Sequence, residues 1–157
     1  MQKLTTFLWF DGKAEEAAHF YKSVFKDVKI LETHHYTEAG PQPKGSVLTV
    51  AFELFGHEFV ALNGGPHYQF TPAVSFSVSC DTQAEIDGYW DRLLEGGKAF
   101  QCGWISDKFG VTWQIVPKAL MEMLKDKDRA RAARVTQAMF KMVKLDIAGL
   151  KRAYEEA

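Results

Sequence analysis

An α+β fold of two successive βαβββ modules followed by a helical C-terminal arm is what the sequence predicts, and three observations carry the prediction. Along residues 4–64 the apolar period passes from strand to helix and back to strand. The same succession recurs along residues 73–117, and beyond Pro117 only helical spacing remains. The expected organisation is a single domain over 1–157, with module one at about 3–64, module two at about 71–117 and the arm at 118–157.

Leu4 to Phe10 is an apolar, aromatic run that Asp11-Gly12 breaks, and Ala14, Ala17, Ala18, Tyr21 and Phe25 then recur at helical spacing. Val28 to His35 and Val47 to Leu54 read as strands around Gly40-Pro41-Gln42-Pro43, and Phe55-Gly56 turns the chain into a strand from His57 to Asn63. After Gly64-Gly65-Pro66 the second module opens with a strand from Ala73 to Val78. Asp81 or Thr82 caps a helix whose face is Ile86, Trp90 and Leu93, and Gly96-Gly97 ends it. Short strands follow at Ala99 to Cys102, Trp104 to Ser106 and Val111 to Val116, with Phe109-Gly110 as the last turn. Pro117 suits a first helical turn. Val135, Met139 and Met142 make one stripe of the arm, and Ile147, Leu150 and Tyr154 after the cap Asp146 make another. The arm is expected to cover the sheet or a second subunit.

At 157 residues with 46% hydrophobic and 13% aromatic content, the chain can bury a core of its own. Nineteen Lys and Arg against twenty Asp and Glu leave a net charge of -1, which argues against nucleic acid or an anionic membrane as partner. A small molecule or another copy of the chain fits better. The N-terminal apolar run is too short to span a membrane and has no small-residue cleavage site, so a cytosolic location is expected. Cys80 and Cys102 have no CxxC spacing and are expected to be reduced. Lys127, Arg129, Arg131 and Arg134, with Asp126 and Asp128 among them, read as a solvated helix face.

The repeated βαβββ order, together with Phe10-Asp11-Gly12, Ala18-His19-Phe20-Tyr21, Leu62-Asn63-Gly64-Gly65-Pro66, Gln101-Cys102-Gly103-Trp104 and Trp113-Gln114-Ile115-Val116-Pro117, resembles the PhnB-like branch of the vicinal-oxygen-chelate superfamily. The superfamily contains glyoxalases, dioxygenases and bleomycin-resistance proteins. The resemblance implies a cupped mixed sheet, a homodimer and a ligand cavity inside the cup. It also implies positions for the His and Glu ligands of a divalent metal, which fall on Thr6, on Ala73 or Val74, on Gln114 and near Ala51. Hydroxyl, methyl and amide groups cannot replace imidazole and carboxylate there, so no tightly held catalytic metal is expected. Glu53 and His57 are the candidates for a replacement site; His34 and His35 must point to opposite faces of their strand. Proteins of this appearance are often labelled 3-demethylubiquinone-9 3-methyltransferase. S-adenosylmethionine binding typically needs a glycine-rich turn that opens a helix, whereas Gly64-Gly65 precedes a strand and Gly96-Gly97 closes a helix.

The polar and aromatic groups expected to line the cavity are Thr6, Asn63, Cys102, Trp104 and Gln114. Thr6 is assigned to the cavity face of the first strand with Leu8 and Phe10, and Gln114 to that of the last strand with Thr112 and Val116. Cys102 has no dedicated His or Asp partner in the sequence and is read as an inert thiol, and no catalytic residue is identified. The function expected is the binding of a small, partly apolar molecule in the cup without a metal or other cofactor. The alternatives are a glyoxalase- or dioxygenase-type enzyme with noncanonical metal ligands and, second, a methyltransferase.

Overall fold

The structure, a computed structural model, describes residues 2–156 and comprises two compact units that meet in the chain between Phe70 and Thr71. The first unit runs β1 (Thr6–Phe10), α1 (Ala14–Phe25), β2 (Val28–His35), β3 (Val47–Leu54) and β4 (His57–Asn63). Its sheet order is β1-β4-β3-β2, with β1 parallel to β4 and the other pairs antiparallel. The helix buries Ala14, Ala17, Ala18, Tyr21, Val24 and Phe25. Tyr21 meets the Phe52 ring at 6.0 Å, and Phe52 stacks on its register partner Phe59 at 5.3 Å. Directly paired residues share a face, so the α1-covered side of the sheet also holds Leu54, Ala61, Leu8 and Phe10. Phe55 and Gly56 both have positive φ, 49° and 79°, as a two-residue hairpin turn of the primed type requires.

The second unit repeats the plan with β5 (Ser75–Cys80), α2 (Gln83–Leu94), β6 (Lys98–Ala99), β7 (Trp104–Ser106) and β8 (Thr112–Pro117) in the order β5-β8-β7-β6. Thr82 caps α2 by accepting from Glu85 N–H, and Ile86, Trp90 and Leu93 bury its inner face. Gly96, at φ 72°, lies just past the helix end. A Cβ on Gly97 would lie 2.3 Å from the Ser106 carbonyl oxygen, so the backbone of this connection comes too close to β7 for any side chain.

Two strand boundaries differ from the sequence expectation. β5 starts at Ser75, because Thr71 Oγ1 accepts from Ala73 N–H and holds residues 71–74 in a turn. The strand expected from Ala99 to Cys102 stops at Ala99, and Cys102 takes a left-handed conformation at φ 61°. The N–H groups of Cys102 and Gly103 donate to Met142 and Val143 carbonyls at 2.9 and 2.8 Å. The arm has taken the donors that a longer strand would use.

That arm comprises α3 (Lys118–Leu124), α4 (Arg129–Phe140) and α5 (Ile147–Glu155), with Asp128 and Asp146 capping the last two. It packs on its own unit: Val116 of β8 joins Leu120, Met123, Val135, Leu145 and Leu150 in one buried cluster. Gln83 of α2 donates to the Leu145 carbonyl at 3.1 Å and accepts from Ile147 N–H at 2.8 Å, while Lys144 pairs with Asp87 at 2.9 Å. Met142 lies past the end of α4, so the expected stripe stops at Met139. Arg129, Arg131 and Arg134 are not simply a solvated face. Arg129 donates to the Leu124 and Asp126 carbonyls, Arg134 to those of Ala153 and Tyr154, and Arg131 lies over the Tyr154 ring at 4.7 Å. Tyr154 also donates to Asp126, and this bond, with one from Asp128 N–H, holds the Asp126 carboxyl below its ordinary range. Among the described residues no helix is long and apolar enough to cross a membrane.

Candidate functional site

In the second unit the two sheet faces have opposite character. Val78, Cys80, Ile105, Trp113 and Ile115 are buried on the α2 side. The alternate positions form two rows across the strands, Ser75–Thr112–Ser106 and Ser77–Gln114–Trp104. The hydroxyls of Ser106 and Thr112 lie 2.8 Å apart, and Gln114 Nε2 donates to Ser75 Oγ at 3.0 Å. The face turned away from α2 is therefore a polar floor, neutral on β5, β8 and β7, with Lys98 of β6 continuing the first row at its edge.

Above this floor is a cavity of about 640 Å³ within the second unit. Ser77, Gln114, Trp104 and Val116 form its sheet side, and Phe100, Gln101 and Cys102 its rim. Leu120, Met121 and Leu124 of α3 and Met139 and Phe140 of α4 close it from the arm. The volume falls in the range of small-molecule pockets, and the lining is mostly apolar with a few placed polar groups.

The structure brings three of the five expected cavity residues, Cys102, Trp104 and Gln114, to this one cavity. Gln114 reaches it because β8 alternates, Trp104 because it is Gln114's register partner, and Cys102 because the arm bends the chain at that residue. Cys80, the other thiol, is buried on the α2 side, where desolvation and the neighbouring Glu85 push it up to about 12.

Thr6 and Asn63 are placed differently. Thr6 pairs with Phe59 and shares the α1-covered face with Leu8 and Phe10, so the first-strand face assignment is corrected by one residue: Phe7 and Trp9 occupy the other side. Its Oγ1 lies 3.2 Å from His57 Nε2. Asn63 is spent on architecture: Oδ1 accepts from Ala14 N–H at 2.9 Å, satisfying a free donor at the start of α1, and Nδ2 donates to the Val47 carbonyl at 3.1 Å. It borders a separate hollow of about 250 Å³ in the first unit, with Tyr36, Gln42 and Gly65.

The donor sets for a metal do not fit. Glu53 pairs with Glu58, whereas His57 pairs with Leu54, the next residue along β3, so Glu53 and His57 point to opposite sides of the sheet. Ala73 lies in a turn, and Gln114 offers only an amide. Among the described residues no three His, Cys, Asp or Glu side chains gather as a ligand set. For S-adenosylmethionine, neither glycine pair opens a helix: Gly64-Gly65 follows β4, and Gly96-Gly97 follows α2.

Sequence reasoning missed Ser77 and the arm residues Leu120, Met121, Leu124, Met139 and Phe140. The alternation of β5 marks Ser77 as a partner of Gln114 once β5 is known to lie beside β8. Nothing in the arm's spacing says which sheet it covers.

The family model described as 3-demethylubiquinone-9 3-methyltransferase matches residues 2–116. Among solved structures, the PhnB protein from Bacillus cereus is 39% identical, with a TM-score of 0.67 over 74% of this chain and 99% of that one. A Pseudomonas aeruginosa protein is 20% identical, with a TM-score of 0.62 over 74% of this chain and 98% of that one. The fosfomycin resistance protein FosX from Listeria monocytogenes is 14% identical, with a TM-score of 0.58 over 80% of this chain and 98% of that one. At these last two identities the likeness is one of fold. No curated protein matches the sequence.

Proposed function

The chain belongs to the 3-demethylubiquinone-9 3-methyltransferase family, in the PhnB-like branch of the vicinal-oxygen-chelate superfamily, and from that premise we propose that it is a binding protein that holds a small, partly apolar molecule without a catalytic metal. The observation that carries this reading is the cavity of about 640 Å³ whose floor holds Gln114, Ser77 and Trp104 and whose walls are apolar. Gln114 stands where the resemblance expects a metal-binding carboxylate. An amide there orients a ligand by hydrogen bonding and supplies neither charge nor a transferable proton near neutral pH. Cys102 faces the same space as a wall residue. The protein acts in the cytosol as a homodimer in this reading, with its arm kept on its own unit.

Methyl transfer is not part of the reading, because neither glycine pair forms the turn that would cradle the donor's anionic or ribose groups. Native mass spectrometry of freshly purified protein, paired with elemental analysis after mild dialysis, tests the proposal. The expected result is a dimer that retains or takes up a small organic molecule and carries no stoichiometric metal. One firmly held zinc, nickel or manganese ion per chain would overturn it in favour of an enzyme. A marked rise in Tm with S-adenosylmethionine would overturn it in favour of a methyltransferase.

A further inference from the structure

We propose that the cavity of the second unit takes a neutral amphiphile, a molecule with an uncharged head that donates a hydrogen bond, such as a primary amide or an alcohol, and an apolar tail of medium length. This inference rests on the binding reading above and adds the chemical class of the ligand.

The head group follows from the floor. Gln114 Nε2 donates one of its two N–H groups to Ser75 Oγ at 3.0 Å, and among the described residues no donor engages Gln114 Oε1, so the amide presents an acceptor and one further donor. Beside it, in register, the Ser77 hydroxyl can donate or accept. A head that both donates to Oε1 and accepts from Ser77 satisfies the pair, which an amide or an alcohol does.

The absence of charge follows from the lining. No Asp, Glu, Lys, Arg or His is among the residues that bound the cavity, and Lys98 stands outside it with its ammonium 5.5 Å from the ring of the rim residue Phe100. An ammonium or carboxylate head would give up part of its hydration there without an opposite charge in the lining to replace it.

The tail follows from the arm. Leu120 and Leu124 give branched aliphatic walls, and Met121 and Met139 give unbranched, polarisable side chains that adapt to a flexible chain. Phe140 and Met121 are 62% and 49% exposed, so a tail laid against them covers apolar surface that otherwise faces water. These walls come from residues beyond the 2–116 match to the family model. The scaffold is shared with relatives, and the surface that selects the tail is supplied by the arm.

The test titrates the full-length protein with octanamide, octanoate and octylammonium, following tryptophan fluorescence and binding heat. Octanamide is expected to bind once per chain, at least about ten-fold more tightly than either ion. Gln114→Leu should weaken octanamide by about ten-fold. Phe140→Asp, at a position 62% exposed, should weaken octanamide and raise octylammonium above it, with an unchanged melting curve checking that the fold is kept. Either ion binding as tightly as the amide to the unaltered protein overturns the ligand class and leaves the binding reading intact. Octanamide binding that neither substitution changes overturns the assignment of head and tail to these walls. Binding of none of the three overturns the inference alone, since the binding reading is tested separately by the small molecule that native mass spectrometry finds or fails to find.

Discussion

The sheet face turned away from the helix differs between the two units, although the strand order is the same in both. In the first unit the rows on that face are Phe7–Val60–Ala51–Glu32 and Trp9–Leu62–Thr49–His34, apolar on β1 and β4 and turning polar toward β2, with a charged row Glu58–Glu53–Lys29 beside them and Phe7 60% exposed. In the second unit the rows are Ser75–Thr112–Ser106 and Ser77–Gln114–Trp104, largely polar and roofed by the arm. The helix-covered faces match in kind, since both need apolar side chains to seat an amphipathic helix. The repeat therefore constrains the helix side and leaves the other face free to acquire chemistry. In this protein the second unit has neutral hydrogen-bonding groups under the arm, and the first has an apolar β1–β4 surface bordered by charged side chains of β2, β3 and β4.

The hairpins differ in the same way. β3 and β4 are joined by the two residues Phe55 and Gly56, whereas the turn between β7 and β8 is organised by Asp107. Asp107, only 3% exposed, accepts from Phe109 N–H at 2.9 Å, Val111 N–H at 3.1 Å and Trp113 Nε1 at 2.9 Å.

The largest effect is expected from removing the arm that distinguishes the units. Truncation after Lys118 strips Leu120, Val135, Leu145 and Leu150, each at most 2% exposed, and side chains so buried contribute about 1.5–3 kcal/mol apiece. The sum is comparable with the whole stability of a domain, so gel filtration should show aggregate and circular dichroism no cooperative melt. A stable, monodisperse product would mean that the polar face of the second sheet stands alone, and the contrast between the units would lose its basis.

Asp107→Ala should come next. It leaves three N–H donors without their acceptor, at roughly 1–3 kcal/mol for each that water cannot reach. Urea unfolding should report a loss of about 3 kcal/mol or more. Gly56→Ala in the corresponding turn of the first unit should cost less, about 1–2 kcal/mol, because a Cβ there meets nothing within 4 Å and only the positive φ resists it. Equal losses from the two substitutions would show that the hairpins are held in the same manner, against the hydrogen-bond pattern.

Most of the fold is legible along the chain because its determinants are local. Ala14 to Phe25 and Ile86 to Leu93 carry helical spacing, Phe55-Gly56 allows the tight turn, and Thr82 and Asp146 cap the helices they precede. Gln114 and Trp104 are legible as cavity-lining residues because strand alternation alone puts them opposite the buried Trp113 and Ile105. Thr6 was not, because period-two alternation does not say which parity the helix will cover, and a slip of one residue exchanges the faces. Asn63 carried no mark of its bond to Ala14 N–H, which joins positions far apart in the chain.

The sequence by itself determined the two modules, their element order, the neutral character of the expected ligand positions and the amphipathic arm. Only the tertiary structure decided that the arm lies on the second unit, where Gln83 and the Cys102–Gly103 backbone hold it. Its helical stripes state that an apolar face must be buried, but hydrophobic attraction has no direction and names no partner. The direction came from hydrogen bonds between residues as distant as Gln83 and Ile147, and those bonds set the walls of the cavity over Gln114.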